Sequence, residues 1–87
     1  MSRFARKIDA NQPEIVEALR EAGNQVHSAA ALGNGAPDLL VSRAMKIWLL
    51  EVKAKGGRLT PAQRKWHALW PVHTVRSVEE ALRAVGQ

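Results

Sequence analysis

The sequence predicts one α/β domain whose helices and strands follow in the order α-β-β-β-α-β-α. Three observations predict it: a length of 87 residues, amphipathic helical patterns near both ends and in the middle, and short apolar runs between them. An apolar content of 46% and a charged content of 24% are typical of a folded globular protein. Residues 1–87 therefore form a single domain, in which residues 1–9 are a basic arm ahead of the first periodic pattern.

The first helix is predicted in "NQPEIVEALREAG". Asn11 is placed to cap it, Pro13 suits an early helical position, and Gly23 is placed to end it. Glu14 lies at the edge of an apolar stripe formed by Ile15, Val16, Ala18, Leu19 and Ala22. We therefore expect the Glu14 carboxylate close to the buried side of the helix.

Three strands are predicted next, in "QVHSAA", "DLLVSR" and "IWLLEVK". The Gly- and Pro-rich stretch "LGNGAP" forms a loop between the first two. The short turn "AMK" makes the second and third strands antiparallel partners. Such a hairpin puts the start of the second strand opposite the end of the third, so that Asp38 meets Glu51 and Lys53.

The rest of the chain alternates helix and strand. A basic loop, "AKGGR", leads into a second helix, "TPAQRKWHALW", with Thr60 as its N-cap. A fourth strand, "VHTVRS", precedes a closing helix in "SVEEALRAVG", where Ser77 and Glu80 have the spacing of a capping box.

The meeting of Asp38, Glu51 and Lys53 predicts a site for phosphodiester hydrolysis. Two close carboxylates repel each other unless a cation joins them, and Mg²⁺ prefers carboxylate oxygens together with water and phosphate. A bound divalent ion can activate water, and Lys53 can orient or deprotonate that water or stabilise negative charge. The alternative is structural: Glu51 and Lys53 form a weak ion pair at a fraying strand end, and Asp38 merely starts a strand.

The charge of the chain predicts a polyanionic partner. A net charge of +5 and a pI near 10.5 favour nucleic acid, although positive charge also serves solubility alone. Four cations just beyond the motif form a candidate phosphate-binding surface, the basic rim, or else a solvated face: Lys55, Arg58, Arg64 and Lys65. Gly33 and Gly35 allow a loop to approach a phosphate, or simply to turn.

Composition also excludes several classes of protein. Without cysteine there are no disulfides or thiolate metal sites, and without an 18-residue apolar run there is no membrane span. We expect a cytoplasmic protein of a bacterium or a phage-infected host cell.

The histidines lack zinc spacing, and the tryptophans either stack on bases or make core or subunit contacts: His27, His67, His73, Trp48, Trp66 and Trp70.

The pair "PD" at 37–38 and "EVK" at 51–53 resembles the PD-(D/E)xK nuclease motif, and "GNGAPDLLV … LLEVKAKGGRLTPAQRKWH" resembles the stand-alone VRR-NUC domains of phages and bacteria. The resemblance implies a restriction-endonuclease-like fold with a mixed four-stranded sheet flanked by helices. It also implies Mg²⁺ or Mn²⁺ bound by Asp38 and Glu51, with the backbone carbonyl of Val52 as a third ligand. It makes Lys53 the catalytic lysine. Glu14 and Gln63 match the family's first-helix glutamate and the glutamine after "LTP".

We therefore expect a divalent-metal-dependent endonuclease that acts on DNA, with a preference for branched, flap or four-way-junction substrates that rests on the resemblance. The alternative is a catalytically inactive basic module that binds nucleic acid or scaffolds a complex. A homodimer is also expected, because so short a chain has a thin core. Its second helix carries Trp66 and Trp70, and its closing helix carries further apolar residues that one small sheet is not expected to cover: Val78, Ala81, Leu82 and Val85.

Overall fold

The helices and strands follow the predicted order. The structure, a computed structural model, describes residues 9–87, so the predicted basic arm over residues 1–9 lies outside the described residues except for Asp9. The elements are α1 (Gln12–Glu21), β1 (Gln25–Ser28), β2 (Leu39–Arg43), β3 (Lys46–Val52), α2 (Pro61–Leu69), β4 (Val72–Val75) and α3 (Val78–Ala84). None of the helices between residues 9 and 87 has the length and apolar character that a bilayer crossing requires.

The four strands form one mixed sheet in the order β1-β2-β3-β4. Strand β2 pairs antiparallel with both β1 and β3, whereas β4 runs parallel to β3. The predicted hairpin is confirmed, but its turn comprises only Ala44 and Met45, so that Lys46 already pairs with Arg43. Both turn residues have positive φ, 52° and 67°, as a two-residue hairpin turn requires.

The hydrophobic core lies on one face of the sheet, beneath α1 and α3. It consists of Ile15, Leu19, Leu39, Val41, Leu50, Val52, Val75, Ala81 and Val85. Val78 and Leu82 of α3 also pack against it. The expectation that the closing helix leaves its apolar side uncovered is therefore wrong, because that side fills the core of its own chain.

Helix α2 covers part of the opposite face of the sheet. Because side chains alternate along a strand, Glu51 and Thr74 point away from the buried Leu50 and Val75. Both contact α2 there: Gln63 Nε2 donates to Glu51 Oε2 over 3.1 Å, and His67 Nε2 lies 2.9 Å from Thr74 Oγ1. The face under α2 therefore carries polar groups in place of a core.

The helix ends differ in detail from the sequence patterns. At the start of α2, Thr60 and Gln63 form a reciprocal capping box, whereas the sequence pattern predicts only Thr60 as the N-cap. On α3 the Ser77 hydroxyl accepts from the Glu80 amide as predicted, but the Glu80 carboxylate accepts from the amide of Arg76. Residues Ala30–Leu32, which follow the end of β1, form a 3₁₀ turn that the sequence did not indicate.

A hydrogen-bond network closes the end of the sheet where the β2–β3 turn lies. The buried Asn24 side chain donates to the Leu19 carbonyl over 2.9 Å and to Gln87 over 2.8 Å. Its oxygen accepts from Arg43, which also donates to the Val85 carbonyl. The network ties the C-terminal ends of α1 and α3 to β2 at the end opposite Asp38.

Candidate active site

Asp38 and Glu51 lie side by side at the end of the β2–β3 ladder. Leu39 pairs with Leu50, so one further step places Asp38 opposite Glu51. The Asp38 Oδ2 atom accepts a hydrogen bond from the backbone amide of Val52 over 2.8 Å. This bond holds the half-buried Asp38 carboxylate next to the strand position that carries Glu51.

Glu51 is buried on the sheet face that α2 covers, and the residue is 2% exposed. It lies between β2 and β4 and accepts from Gln63 Nε2. Glu51 is covered and its strand is paired on both sides, so it does not lie at a fraying strand end. Burying a carboxylate is costly, and such residues are retained where they are bonded or bind a cation.

Gln63 links this carboxylate to the start of α2. Its Oε1 accepts from the Thr60 amide over 2.8 Å as part of the capping box, and its Nε2 is then directed at Glu51. The side chain is 7% exposed. The structure therefore places Gln63 against Glu51, close to the position that the family resemblance implies.

Lys53 follows β3 directly and is half-buried. Its amide donates to the Val75 carbonyl over 3.0 Å, which extends the parallel β3–β4 ladder by one step. Beyond that step the Asn11 side chain joins the two strands, because its Nδ2 donates to the Lys53 carbonyl over 3.2 Å and to the Arg76 carbonyl over 3.0 Å. Asn11 therefore fixes the backbone of Lys53 to the start of α1.

Arg76 fixes the loop that follows Lys53. Its guanidinium donates to the carbonyls of Ala54 and Gly57 over 2.9 and 2.8 Å. Hydrogen bonds from Asn11, just before α1, and from Arg76, just after β4, therefore hold Lys53 and the loop that follows it.

Glu14 lies in the first turn of α1. It is exposed, whereas the buried side of α1 comprises Gln12, Ile15 and Leu19. Within residues 9–87, no group of three or more Asp, Glu, His or Cys side chains could hold a metal ion. The metal role of Glu14 stays a prediction, and the polar residue that faces inward at this end of α1 is Gln12.

The glycine loop lies against the start of α2. A groove of about 670 Å³ runs along it, lined by Gly33, Asn34, Gly35, Thr60 and Gln63, with Ala30 and Ala31. A Cβ atom on Gly35 would come within 2.5 Å of the Ala62 carbonyl carbon, and φ there is +81°. Gly35 is thus required for close packing on α2, while the backbone of Gly33, with φ 63° and ψ −166°, is one that only glycine readily adopts.

The four residues of the basic rim are all exposed: Lys55 and Arg58 on the loop, and Arg64 and Lys65 on α2. Arg64 also donates to the Leu59 carbonyl. Residues 53–76 contain no Asp or Glu. By contrast, α1 exposes three carboxylates, Glu14, Glu17 and Glu21. The charge distribution therefore favours an anionic ligand on the α2 side and disfavours one along α1.

His67 contributes to packing. Its Nδ1 lies 2.9 Å from the Gln63 carbonyl and therefore donates to it, while its Nε2 meets the Thr74 hydroxyl. The ring thus braces α2 on β4, one helical turn beyond Gln63.

The mixed sheet, with α1 and α3 on one face, α2 on the other and paired carboxylates at one end, defines a restriction-endonuclease-like nuclease fold. The family model of the VRR-NUC domain matches residues 4–78. The chain therefore belongs to the VRR-NUC domain family, which confirms the resemblance. Comparison with curated proteins and with solved structures gave no further match. Family membership supports a nuclease in general terms, with DNA as its substrate class.

Sequence reasoning missed two residues near the site. Asn11 has the position of an N-cap, but its Oδ1 makes no capping bond, and its Nδ2 donates to the carbonyls of Lys53 and Arg76. Arg76 appeared to be an ordinary strand residue. The hydrogen-bond partners of both side chains lie 19 to 65 positions away along the chain, so no local sequence pattern could have indicated them.

Proposed function

We propose that this protein is a divalent-metal-dependent endonuclease that hydrolyses DNA phosphodiester bonds at Asp38, Glu51 and Lys53. The observation that carries the proposal is the β2–β3 register, which puts Asp38 opposite the buried Glu51 at the end of the strand that continues into Lys53. A covered carboxylate with a second one beside it is an arrangement that a bound cation stabilises.

The donor set fits Mg²⁺ or Mn²⁺. Asp38 and Glu51 would bind the ion, with the Val52 carbonyl as the third protein ligand. Mg²⁺ typically takes one or two carboxylates from a protein, with water and substrate phosphate completing its shell. When bound, the ion supplies Lewis-acid stabilisation of negative charge on the phosphate.

The protein's own groups have separate roles. Gln63 orients the Glu51 carboxylate through its hydrogen bond. Lys53 orients or deprotonates the attacking water, or neutralises charge that develops on the phosphate. The basic rim binds the flanking phosphates, which sets the position of the strand without selecting its sequence.

A cleavage assay tests the proposal. Supercoiled plasmid, a flap and a four-way junction are incubated with the protein in Mg²⁺, in Mn²⁺ and in EDTA. We expect cleavage in both metals, none in EDTA, and faster cleavage of the flap and junction than of a linear duplex included as a fourth substrate. DNA binding without cleavage in either metal would favour the catalytically inactive basic module instead.

We also propose that the protein acts as a homodimer. The support is the part of the sheet that α2 leaves uncovered, where Leu40 is 37% exposed and Ile47 is 72% exposed. These residues line a shallow groove of about 330 Å³ together with His27 and Ser42. Exposed apolar surface of this kind is typical of an interface, and two-fold symmetry is the commonest arrangement. Two sites related by a two-fold axis would suit a symmetric branched DNA.

Sedimentation equilibrium at micromolar concentration tests the dimer. We expect twice the chain mass of 9.6 kDa for the wild type. Ile47→Glu should give the monomer mass, whereas Leu32→Glu, at an equally exposed position on the 3₁₀ turn, should not. A wild-type mass of one chain at all concentrations would rule the dimer out.

A further inference from the structure

Two tryptophans at the end of α2 stack on each other outside the hydrophobic core. The ring centroids of Trp66 and Trp70 are 4.9 Å apart, with 29° between the ring planes. Trp66 is fixed because its Nε1 donates to the Asn34 carbonyl over 3.1 Å. Trp70 is 51% exposed, so part of its ring is available to a ligand.

The pair lines a groove of about 550 Å³, here called the tryptophan groove. Its other walls are Asn34, Pro61, Ala62, Lys65 and Leu69. The volume suits a small planar ligand. The Lys65 side chain is the charged group in this lining, so the groove combines an aromatic surface with a positive charge.

The tryptophan groove adjoins the path to the candidate active site. Asn34 lines both this groove and the groove along the glycine loop. The second groove continues to Gln63, which is bonded to Glu51. A nucleic-acid strand that passes Glu51 and follows the glycine loop therefore reaches Trp70 within a few nucleotides.

We propose that the tryptophan groove binds an unpaired nucleobase of the DNA substrate; this inference rests on the proposed nuclease function. A base that stacks on Trp70 leaves its phosphate close to Lys65. Aromatic stacking of this kind accepts any base, because every base has a π face. A fully paired duplex keeps its bases stacked internally, so an unpaired base comes from a flap, a gap or a single strand.

The charge of the groove favours DNA over a second copy of this chain. A two-fold contact centred on the groove would bring two Lys65 side chains towards each other. The whole chain carries a net charge of +5, which likewise favours an anionic ligand. DNA satisfies both the aromatic surface and the lysine.

Tryptophan fluorescence and binding to oligo(dT) in EDTA test the proposal without cleavage. We expect quenching in the wild type, and affinity for the single strand about 5- to 150-fold weaker in Trp70→Leu. Trp70→Phe keeps an aromatic face and should restore most of the affinity. Trp48→Phe is the matched control, because Trp48 lies under the Arg43 guanidinium at 5.1 Å and away from the groove. Affinity for blunt duplex should change less than about twofold in each variant.

The outcomes separate this proposal from the nuclease function. If Trp70→Leu binds oligo(dT) as tightly as the wild type, the nucleobase site is wrong, whatever the cleavage result. If the wild type cleaves no DNA but Trp70→Leu binds oligo(dT) more weakly than the wild type, the nucleobase site is supported and the nuclease proposal is wrong. If Trp70→Leu instead changes the sedimentation mass and leaves oligo(dT) affinity unchanged, the groove is an interface between copies.

Discussion

Asn11→Ala should reduce both the stability and the cleavage rate of the enzyme, and the two effects can be separated. The substitution removes hydrogen bonds of 3.2 and 3.0 Å to the carbonyls of Lys53 and Arg76, both partly buried. Leaving such carbonyls without a donor costs about 1–3 kcal/mol in total. For a domain of this size each kcal/mol lowers the melting temperature by about 4–8 °C.

The catalytic effect has a different cause. Without the Asn11 bridge, the backbone of Lys53 is released from the start of α1. A misplacement of about 1 Å at a reacting group can cost roughly 100-fold in rate. We expect single-turnover cleavage by Asn11→Ala to be at least about tenfold slower, with little change in DNA affinity.

Asn24→Ala is the matched control. Asn24 is a buried asparagine next to α1, and like Asn11 it donates two hydrogen bonds, here of 2.9 and 2.8 Å. It lies at the opposite end of the sheet, beside Arg43. We expect a comparable loss of stability, about 1–3 kcal/mol, but a cleavage rate within about twofold of the wild type.

Both variants are assayed at a temperature at which circular dichroism shows them to be folded. Asn11→Asp adds a second test, because a carboxylate cannot donate to either carbonyl. It should cleave no faster than Asn11→Ala. Equal rate losses in Asn11→Ala and Asn24→Ala, or a wild-type rate in folded Asn11→Ala, would refute the positioning role.

Three further predictions concern the ion, the DNA surface and the glycine loop. Mg²⁺ at ten times its Kd should stabilise the wild type by ~1.4 kcal/mol and so raise its melting temperature by about 6–11 °C. Asp38→Asn keeps an acceptor for the Val52 amide but should show little of that rise. An equal rise in both would contradict the assignment. DNA affinity should fall steeply with salt, and the slope should flatten by about 1 in each of Lys55→Ala and Arg58→Ala, as measured by fluorescence anisotropy. A wild-type affinity that does not respond to salt would exclude a phosphate-binding rim. Gly35→Ala should be destabilised by at least about 1 kcal/mol in urea unfolding, because its Cβ atom would lie 2.5 Å from the Ala62 backbone; unchanged stability would contradict that packing.

The β2–β3 hairpin could be predicted because its information is local. Two apolar runs separated by a short turn set the register, and the register alone places Asp38 opposite Glu51. The position of Gln63 could be anticipated from the resemblance. Its second role, in the capping box with Thr60, follows the reciprocal pattern of a helix start.

The position of Glu14 could not be predicted with the same certainty. One residue along a helix is a rotation of about 100°, so a side chain at the edge of a stripe can face either way. The structure buries Gln12, Ile15 and Leu19, and Glu14 falls on the solvent side.

Which surface covers the apolar residues of α3 depends on tertiary packing. Their helical spacing predicts an apolar face but does not specify what covers it. In the structure that face packs with α1 on the core side of the sheet, where Ala81 and Val85 are fully buried. Exposed apolar residues of the sheet lie instead on the other face, at Leu40 and Ile47, which strand alternation separates from the buried Leu39 and Leu50.

Plasmid nicking by Lys53→Ala tests the central claim most directly. Lys53 is half-buried and follows the strand that carries Glu51, and Lys55, two residues further along the chain, is an exposed lysine that serves as its control. In Mg²⁺ under single-turnover conditions, we expect Lys53→Ala to lose cleavage by at least about 100-fold while it keeps its fold and its affinity for DNA, since the lysine acts in the transition state. Lys55→Ala should cleave at close to the wild-type rate when DNA is saturating. Cleavage by Lys53→Ala at a rate close to that of the wild type would contradict the assignment of the active site.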